Sequence, residues 1–221
     1  MKATIIKETI NGARRKEIYE LYKTKTFTEP EVYIMRPSAD TLTVHGNKPL
    51  ADFINEDLIP GDFEVVRVEA GMNTGVTYTS ASDVAVRIFV PDSRDLIKMK
   101  GVFSSAIIEV LAKYGVEARF STHRKSANDI VFIKDGVEKK FCGCVHDLKH
   151  SYIGFILTFD FHAEKIQGLY KMDTLKMLSR GPVTDITEVV GGLHEVNAQL
   201  DPDTIANEVV NLIIEKIGWT L

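Results

Sequence analysis

Between residues 128 and 150 the chain gathers a dense set of versatile side chains: Asn128, Asp129, Lys139, Lys140, Cys142, Cys144, His146 and His150. Asp135-Gly136 is a strong two-residue hairpin signal, which sets Asn128-Asp129 and Lys139-Lys140 on the two arms of one hairpin. Neighbouring strand residues point to opposite faces, so one of the two lysines faces solvent and the other the packed side of a sheet. An ammonium held in a cleft is a good fixed charge for a carboxylate or phosphate. The plain alternative is a pair of exposed edge-strand lysines that discourage aggregation. Cys142 and Cys144, with His146 and His150 nearby, can be read as a nucleophile pair, a metal site or small buried hydrophobes. Their spacing matches no common zinc pattern and no second ligand pair exists elsewhere, so the packing reading ranks first. A third feature is the small, polar run Gly71 to Ser82 (GMNTGVTYTSAS). Small residues let backbone N–H groups approach an anion. The run is not a Walker motif and no lysine follows it, so a flexible surface loop reads equally well.

These groups need a scaffold to hold them. Asn11 can cap a first helix running to Tyr22. Strand-like runs follow at Glu31 to Met35 and Thr41 to His45, Pro49 opens a short helix from Leu50 to Ile54, and Phe63 to Val68 alternates as a strand. Gly71 to Ser82 reads as a loop, and Asp83 to Val90 returns to strand alternation. A long helix spans about Ser93 to Tyr114, with Leu96, Met99, Phe103, Ala106, Ile107 and Val110 on one face; Asp92 or Ser93 caps it and Gly115 fits its left-handed end. Val116 to Phe120, Ile130 to Ile133, Val137 to Val145 and Tyr152 to Phe161 read as strands. The part beyond about residue 171 reads as mostly helical, ending in a helix that Asp201-Pro202 starts and Gly218 stops. Helices and strands do not alternate strictly. The expectation is therefore an α/β (α+β) fold with a mixed, largely antiparallel sheet and packed helices, in one domain spanning 1–221.

The chain has 221 residues, 44% of them hydrophobic and 26% charged, with a net charge of −4. That composition suits a globular protein with its own core and argues against disorder. The mildly acidic balance gives no reason to expect nucleic acid or an anionic membrane as partner. No apolar run is long enough to span a bilayer, the first residues lack a signal-peptide core, and the two cysteines lie too close to form a structural disulfide. A cytoplasmic location is expected.

In order along the chain, these pieces resemble the lipoate–protein ligase family, within the wider lipoate/biotin ligase fold. The resemblance covers about Ala13 to Gly218. Glu29-Pro30-Glu31-Val32-Tyr33-Ile34 looks like the family's opening strand, and Leu42 to Asn47 sits where the family has an apolar strand, a glycine and an Asn-containing turn. Gly75-Val76-Thr77-Tyr78 running into Asp83 matches the end of its Gly-rich loop. The most specific likeness is Asn128-Asp129, Gly136 and Lys140-x-x-Gly143. Thr184 to Val189 resembles a helix-leading segment, and the terminal helix also fits.

The resemblance implies a two-step reaction. ATP and lipoate, or octanoate, give an acyl-adenylate with Mg²⁺, and a lysine of a carrier domain then takes the acyl group. Lys140 would stabilise charge on the reacting phosphate. Asp129 with Asn128 would contact the nucleotide or its Mg²⁺. Asn73, Gly75, Thr77, Asp83, Gly143, Cys144 and His150 would line the nucleotide or ligand site. The implied partner is a lipoyl-carrier domain, such as that of a 2-oxoacid dehydrogenase subunit or a glycine-cleavage H-type protein. The accessory C-terminal domain of longer ligases is not expected in this chain, and a separate accessory subunit is a further implied partner.

The sequence also departs from the family pattern. Where the family's loop begins with two arginines and holds three glycines, this chain has Glu69-Ala70-Gly71-Met72-Asn73-Thr74-Gly75, with Arg67 as the nearest arginine. Thr79 stands for a histidine, Asp83 for an asparagine, and Cys142 and Cys144 for serines. Two other readings stay open beside the ligase. One is an ATP-independent octanoyl or lipoyl transferase with a cysteine nucleophile. The other is a binding module without catalysis.

Overall fold

The period-two runs of the sequence resolve into two sheets rather than the single one expected. The computed structural model describes residues 1–69, 75–121, 129–171 and 185–221. Asn73 and Asn128 lie outside the described residues. The larger sheet is built, in spatial order, from β1 (Thr4–Ile10), β2 (Glu31–Pro37), β6 (Val84–Phe89), β10 (Tyr152–Leu157), β9 (Val137–Asp147), β8 (Asp129–Lys134) and β7 (Ala118–Phe120). β1 and β2 run parallel, and every other neighbouring pair is antiparallel. The smaller sheet has β3 (Thr41–His45) between a parallel β4 (Glu64–Val68) and an antiparallel β5 (Val76–Thr79). The mixed, largely antiparallel architecture is as expected.

Two strands correct the sequence reading. Residues 76–79 are not loop. Val76-Thr77-Tyr78-Thr79 is β-branched and aromatic, and it completes the small sheet against β3. β1 was not anticipated; its lysine and glutamate mask a Thr-Ile-Ile pattern that pairs along the whole of β2. The first helix is shorter than expected. Asn11 caps it, its side chain accepting from Arg14 N at 2.9 Å. α1 (Gly12–Tyr19) then breaks at Glu20 before a single turn, α2 (Leu21–Thr24). The expected helix after Pro49 is one 3₁₀ turn, Leu50–Asp52. α3 (Ser93–Lys113) is capped by Asp92 and followed by Gly115 at φ +74°. A short α4 (Ala163–Ile166) follows the sheet. Beyond residue 184 the chain runs through 3₁₀ turns at Ile186–Glu188 and Leu193–Glu195 into one long helix, α5 (Pro202–Ile217). No helix among the described residues is long and apolar enough to cross a membrane.

The large sheet buries both faces, but differently. One face carries Val32, Ile34, Val86, Ile88, Ile153 and Phe155 against the apolar stripes of α3 and α5. Each such side chain contributes about 1.5–3 kcal/mol through burial. The other face carries Tyr33, Met35, Ala85, Phe89 and Tyr152 and packs under α1 and the small sheet, through Ile18, Tyr19, Val66 and Val68. The far side of the small sheet holds a third cluster, where Leu42, Val44 and Val76 meet Phe53, Ile166, Leu169 and Tyr170. The site lies where the inner face of the large sheet meets β5.

Candidate functional site

Lys140 and Gly143 are three residues apart, so regular strand alternation would set them on opposite faces. The structure avoids this with a β-bulge. Ile130 pairs with Cys142 but Val131 pairs with Lys140, leaving Phe141 as the extra residue. Lys140, Gly143 and Asp129 thereby come to one face. Lys140 Nζ lies 2.7 Å from Asp129 Oδ1, and the Asp129 side chain is only 8% exposed. Gly143 leaves room for this arrangement: a Cβ there would lie 3.0 Å from Lys140 Nζ and press on the lysine. Lys139 points the other way and pairs with Glu195 Oε2 at 3.0 Å. The two adjacent lysines therefore diverge as strand geometry demands.

The backbone at Lys140 is held from outside the sheet. β10 stops at Leu157, and the segment 189–191 takes over its edge. Lys140 N donates to Val189 O at 2.8 Å, and Gly191 N donates to Lys140 O at 3.0 Å. The capped turn Asp185 to Glu188 feeds this segment. A lysine fixed on both edges of its strand is a rigid point charge, which electrostatic stabilisation of a reaction needs.

Lys140 stands beside a cleft of about 150 Å³ that Gly143, Thr77 and Asp83 also line, with Ile166, Tyr170 and Val190 among its apolar walls. Asp40 ties the flank together: it accepts from Ala81 N at 2.9 Å and pairs with Lys165 Nζ at 2.6 Å, and Tyr78 Oη donates to it at 3.3 Å. Asp83 is fully buried. Its two oxygens accept from Ser80 N and Phe159 N, both at 2.9 Å. Burial nevertheless pushes its carboxyl up to about 7.

Of the site residues expected from sequence, Lys140, Asp129, Gly143, Thr77 and Asp83 come together. Gly75 has φ +78°, and a Cβ there would run into the Phe53 ring, so its glycine serves close packing beside β5. Cys144 and Cys142 lie toward the helix-packed face, and burial raises both thiols, Cys142 to about 12. His146 follows them with both ring nitrogens buried and unpartnered, edge-on to Phe103 at 5.0 Å. His150 sits beyond the Asp147 end of β9, bonded to Asp147 at 2.8 Å and packed on Tyr22. Four strand residues, roughly 13 Å, separate Asp147 from Gly143. Arg67 is committed elsewhere, donating to Gly46 O and Lys48 O at 2.8 and 2.9 Å. Glu69 is exposed and paired with Lys23 at 2.5 Å.

Sequence reading missed two buried cations. Arg15, 1% exposed, donates to Thr43 Oγ1 and Thr79 Oγ1 at 3.2 Å, while its Nη2 has no partner. Arg87, 3% exposed, lies between the rings of Tyr19 and Tyr152. The available signal was one arginine inside the apolar strand Val84-Ala85-Val86-Arg87-Ile88-Phe89.

Among the described residues no group of three metal-binding side chains exists. One carboxylate beside a cation suits an ion that arrives on a polyphosphate and keeps most of its other ligands.

A profile of the lipoyl protein ligase A/B catalytic domain matches residues 18–215. No curated protein matches the chain in sequence. Among solved structures, the chain is similar to lipoate-protein ligase A bound with ATP, with a TM-score of 0.75 and 14% identity, covering 100% of this chain and 87% of that one. It is similar to the Thermoplasma acidophilum protein Ta0514 with bound lipoic acid, at a TM-score of 0.74 and 14% identity over 99% of this chain and 87% of that one. It is also similar to a bipartite lipoate protein ligase from Thermoplasma acidophilum, described with its E2 lipoyl domain, at a TM-score of 0.71 and 14% identity over 100% and 84% of the two chains. At this identity the likeness is one of fold.

Proposed function

This chain belongs to the lipoyl protein ligase A/B catalytic-domain family, and from that premise we propose that it is an ATP-dependent lipoate–protein ligase. It activates lipoate or octanoate as the acyl-adenylate and passes the acyl group to a lysine of a lipoyl-carrier domain. The observation that carries this reading is Lys140, paired with buried Asp129 and pinned on a bulge beside the cleft.

In the first step a carboxylate oxygen of the acid attacks the α-phosphorus of ATP, and the bond from that phosphorus to the pyrophosphate oxygen breaks. Negative charge grows on the α-phosphate oxygens, where a preorganised ammonium is worth far more than in water. Lys140 supplies it, and Asp129 holds the ammonium in place. In the second step the neutral amine of the carrier lysine attacks the acyl carbon. The carbon–oxygen bond to AMP breaks, and the amine's spare proton passes to solvent. Thr77 and Asp83 line the nucleotide side of the cleft. Mg²⁺ would ride on the phosphates with Asp129 as its protein ligand, and it would neutralise the departing pyrophosphate.

The solved neighbours with ATP, with lipoic acid and with an E2 lipoyl domain support this choice of nucleotide, acid and carrier. The carrier would belong to a 2-oxoacid dehydrogenase subunit or a glycine-cleavage H-type protein, in the cytoplasm, with a separate accessory subunit as a further partner.

The test is pyrophosphate release with ATP, Mg²⁺ and lipoate or octanoate. Acid-dependent release should fall by about 100- to 1000-fold in Lys140→Ala. Acid binding without any acid-dependent release would replace this reading with that of a non-catalytic binding module.

A further inference from the structure

The segment that fixes the backbone of Lys140 must itself be held down. Residues 189–200 lie along the sheet where β10 has ended. Lys140 N donates to Val189 O and Gly191 N to Lys140 O, then Leu193 N donates to Thr158 O and His194 N to Phe159 O, both at 3.0 Å. A Cβ on Gly192 would run into Phe159 O, so the segment rests backbone to backbone on Phe159. Two side chains anchor it. Glu195 is the first: Oε1 accepts from Gly192 N at 2.9 Å, and Oε2 pairs with Lys139 at 3.0 Å and Lys134 at 3.3 Å. Burial opposes its charge, but Lys139, Gly192 N and Lys134 hold its carboxyl below the usual glutamate value. This anchor therefore stays ionised through neutral pH.

The second anchor is His194, and it is built differently. Its Nδ1 lies 2.7 Å from Asp160 Oδ1 and its Nε2 2.9 Å from Leu200 O. Both partners are acceptors. A neutral imidazole has one N–H, so it serves one of them and turns a lone pair on the other; imidazolium donates to both. Partial burial works against the charged ring, but the Leu200 carbonyl and the Asp160 carboxylate outweigh it and raise the ring above the usual histidine value. Asp160 in turn keeps its charge despite burial, because His194 and Ser82 bond to it. The other ionisable groups around this pair have their own places. Asp83, whose Oδ1 accepts from Phe159 N, adds a negative charge that favours the protonated ring. His162 acts on Asp160 and pairs with Glu164 at 3.4 Å. Asp201, next to Leu200, spends its carboxylate on Thr204 at the start of α5.

We infer that His194, bonded on both sides by Asp160 and Leu200 O, is a positioning residue for Lys140: its ring fastens residues 189–200 to the sheet, and they fix the backbone that carries the Lys140 ammonium. This deepens the ligase reading by adding a pH-dependent hold on its site, and it rests on that reading for its turnover measurement only. The sign follows from the ring's raised value. The hold is complete below about pH 6.5 and is lost as pH rises through the higher value of the folded ring.

The experiment follows hydrogen exchange of the Lys140 and Gly191 amides by NMR between about pH 6 and about pH 9, corrected for intrinsic exchange. The His194 ring signals, identified by their loss in His194→Gln, are titrated alongside. Protection of both amides should fall by about fivefold as the ring loses its proton, the scale of a hydrogen bond to a charged group that solvent partly screens. Asp160→Asn, which changes one oxygen for nitrogen, should move the ring titration and the loss of protection to lower pH together. His194→Gln should give low protection at every pH. Asp83→Asn, the control for the neighbouring buried carboxyl, should keep the transition. In acid-dependent ATP–pyrophosphate exchange with octanoate, kcat rather than KM should fall on the same alkaline limb, and that limb should shift with the ring in Asp160→Asn. Protection that stays level while the ring titrates overturns the inference, as does an equal fall in His194→Gln or a transition abolished in Asp83→Asn. So does an exchange profile unmoved in Asp160→Asn. Pyrophosphate exchange by none of the proteins would defeat the ligase reading, and the amides would still decide this one. A loss of protection that tracks the ring in wild type and in Asp160→Asn supports it.

Discussion

The two faces of β9 are made from alternating residues of one strand and have opposite chemistry. Toward α3 and α5 it offers Cys142, Cys144 and His146, where burial raises the thiols and holds the imidazole neutral, its value pushed down to about 4. Toward the small sheet it offers Lys140 and Gly143, with Asp129 from β8 and Arg87 from β6 on the same face. The first face is a hydrophobic interface that tolerates polar groups by neutralising them. The second keeps charges and leaves space above glycine. The lesson is that residue type alone is a poor guide to reactivity. A Cys-x-Cys next to histidines looks like a reactive cluster, but the helices that cover it remove the thiolate that reactivity needs.

That contrast can be strained from each side. The largest expected effect is on the packed face, where Phe103→Ala should cost about 3–5 kcal/mol of stability in urea unfolding and leave turnover per folded molecule largely intact. A comparable loss of specific activity would mean that the two faces are not separable. On the charged face, Asp129→Asn should reduce acid-dependent pyrophosphate release by about tenfold or more, because Lys140 loses its positioning partner. Unchanged release would remove Asp129 from the account. Cys142→Ser places a hydroxyl in an apolar site and should cost about 1–3 kcal/mol without abolishing turnover. Loss of all turnover in folded Cys142→Ser or Cys144→Ser would revive the cysteine-transferase reading.

The smallest effect is a difference in pH dependence between the two sides. Asp83 titrates near 7 when folded and near 3.8 as a free group. Its raised value gives stability that is present below about pH 3.8 and lost as pH rises through about 7. His146 runs the other way. Its lowered value gives stability that is present above about pH 6.5 and lost as pH falls toward about 4. In wild type the two oppose each other across this range. Asp83→Asn should therefore make stability rise more steeply with pH between about 4 and about 7. His146→Phe should make it fall more steeply. Denaturant midpoints across that range measure both, and parallel curves for all three proteins would contradict the assignments.

Much of this was legible from residues. Asp135-Gly136 marks the hairpin, and Asn128-Asp129 with Lys140-x-x-Gly143 marks the charged end. The apolar stripe from Leu96 to Val110 marks the helix that closes the packed face. What was hidden depends on tertiary pairing. A bulge at Phe141 has no local signature, yet it decides which face Lys140 serves. β5 was concealed inside a run that looked like loop, because threonine suits both a polar turn and a half-buried strand. Arg87 stands in an apolar strand and acquires meaning only once Tyr19 and Tyr152 from other elements close over it. His150 lies beyond the Asp147 end of β9, about four strand residues past Gly143, a separation that sequence proximity hides.

The most direct test of the central claim, that the Lys140 face performs acyl activation, is a rapid-quench single turnover with ATP, Mg²⁺ and an acid in the absence of carrier. The expected result is enzyme-bound acyl-adenylate and pyrophosphate in equal amounts, formed by wild type and by the two cysteine-to-serine variants and lost in Lys140→Ala. An acyl group bound covalently to cysteine, or acyl-adenylate formed as fast in Lys140→Ala as in wild type, would contradict it.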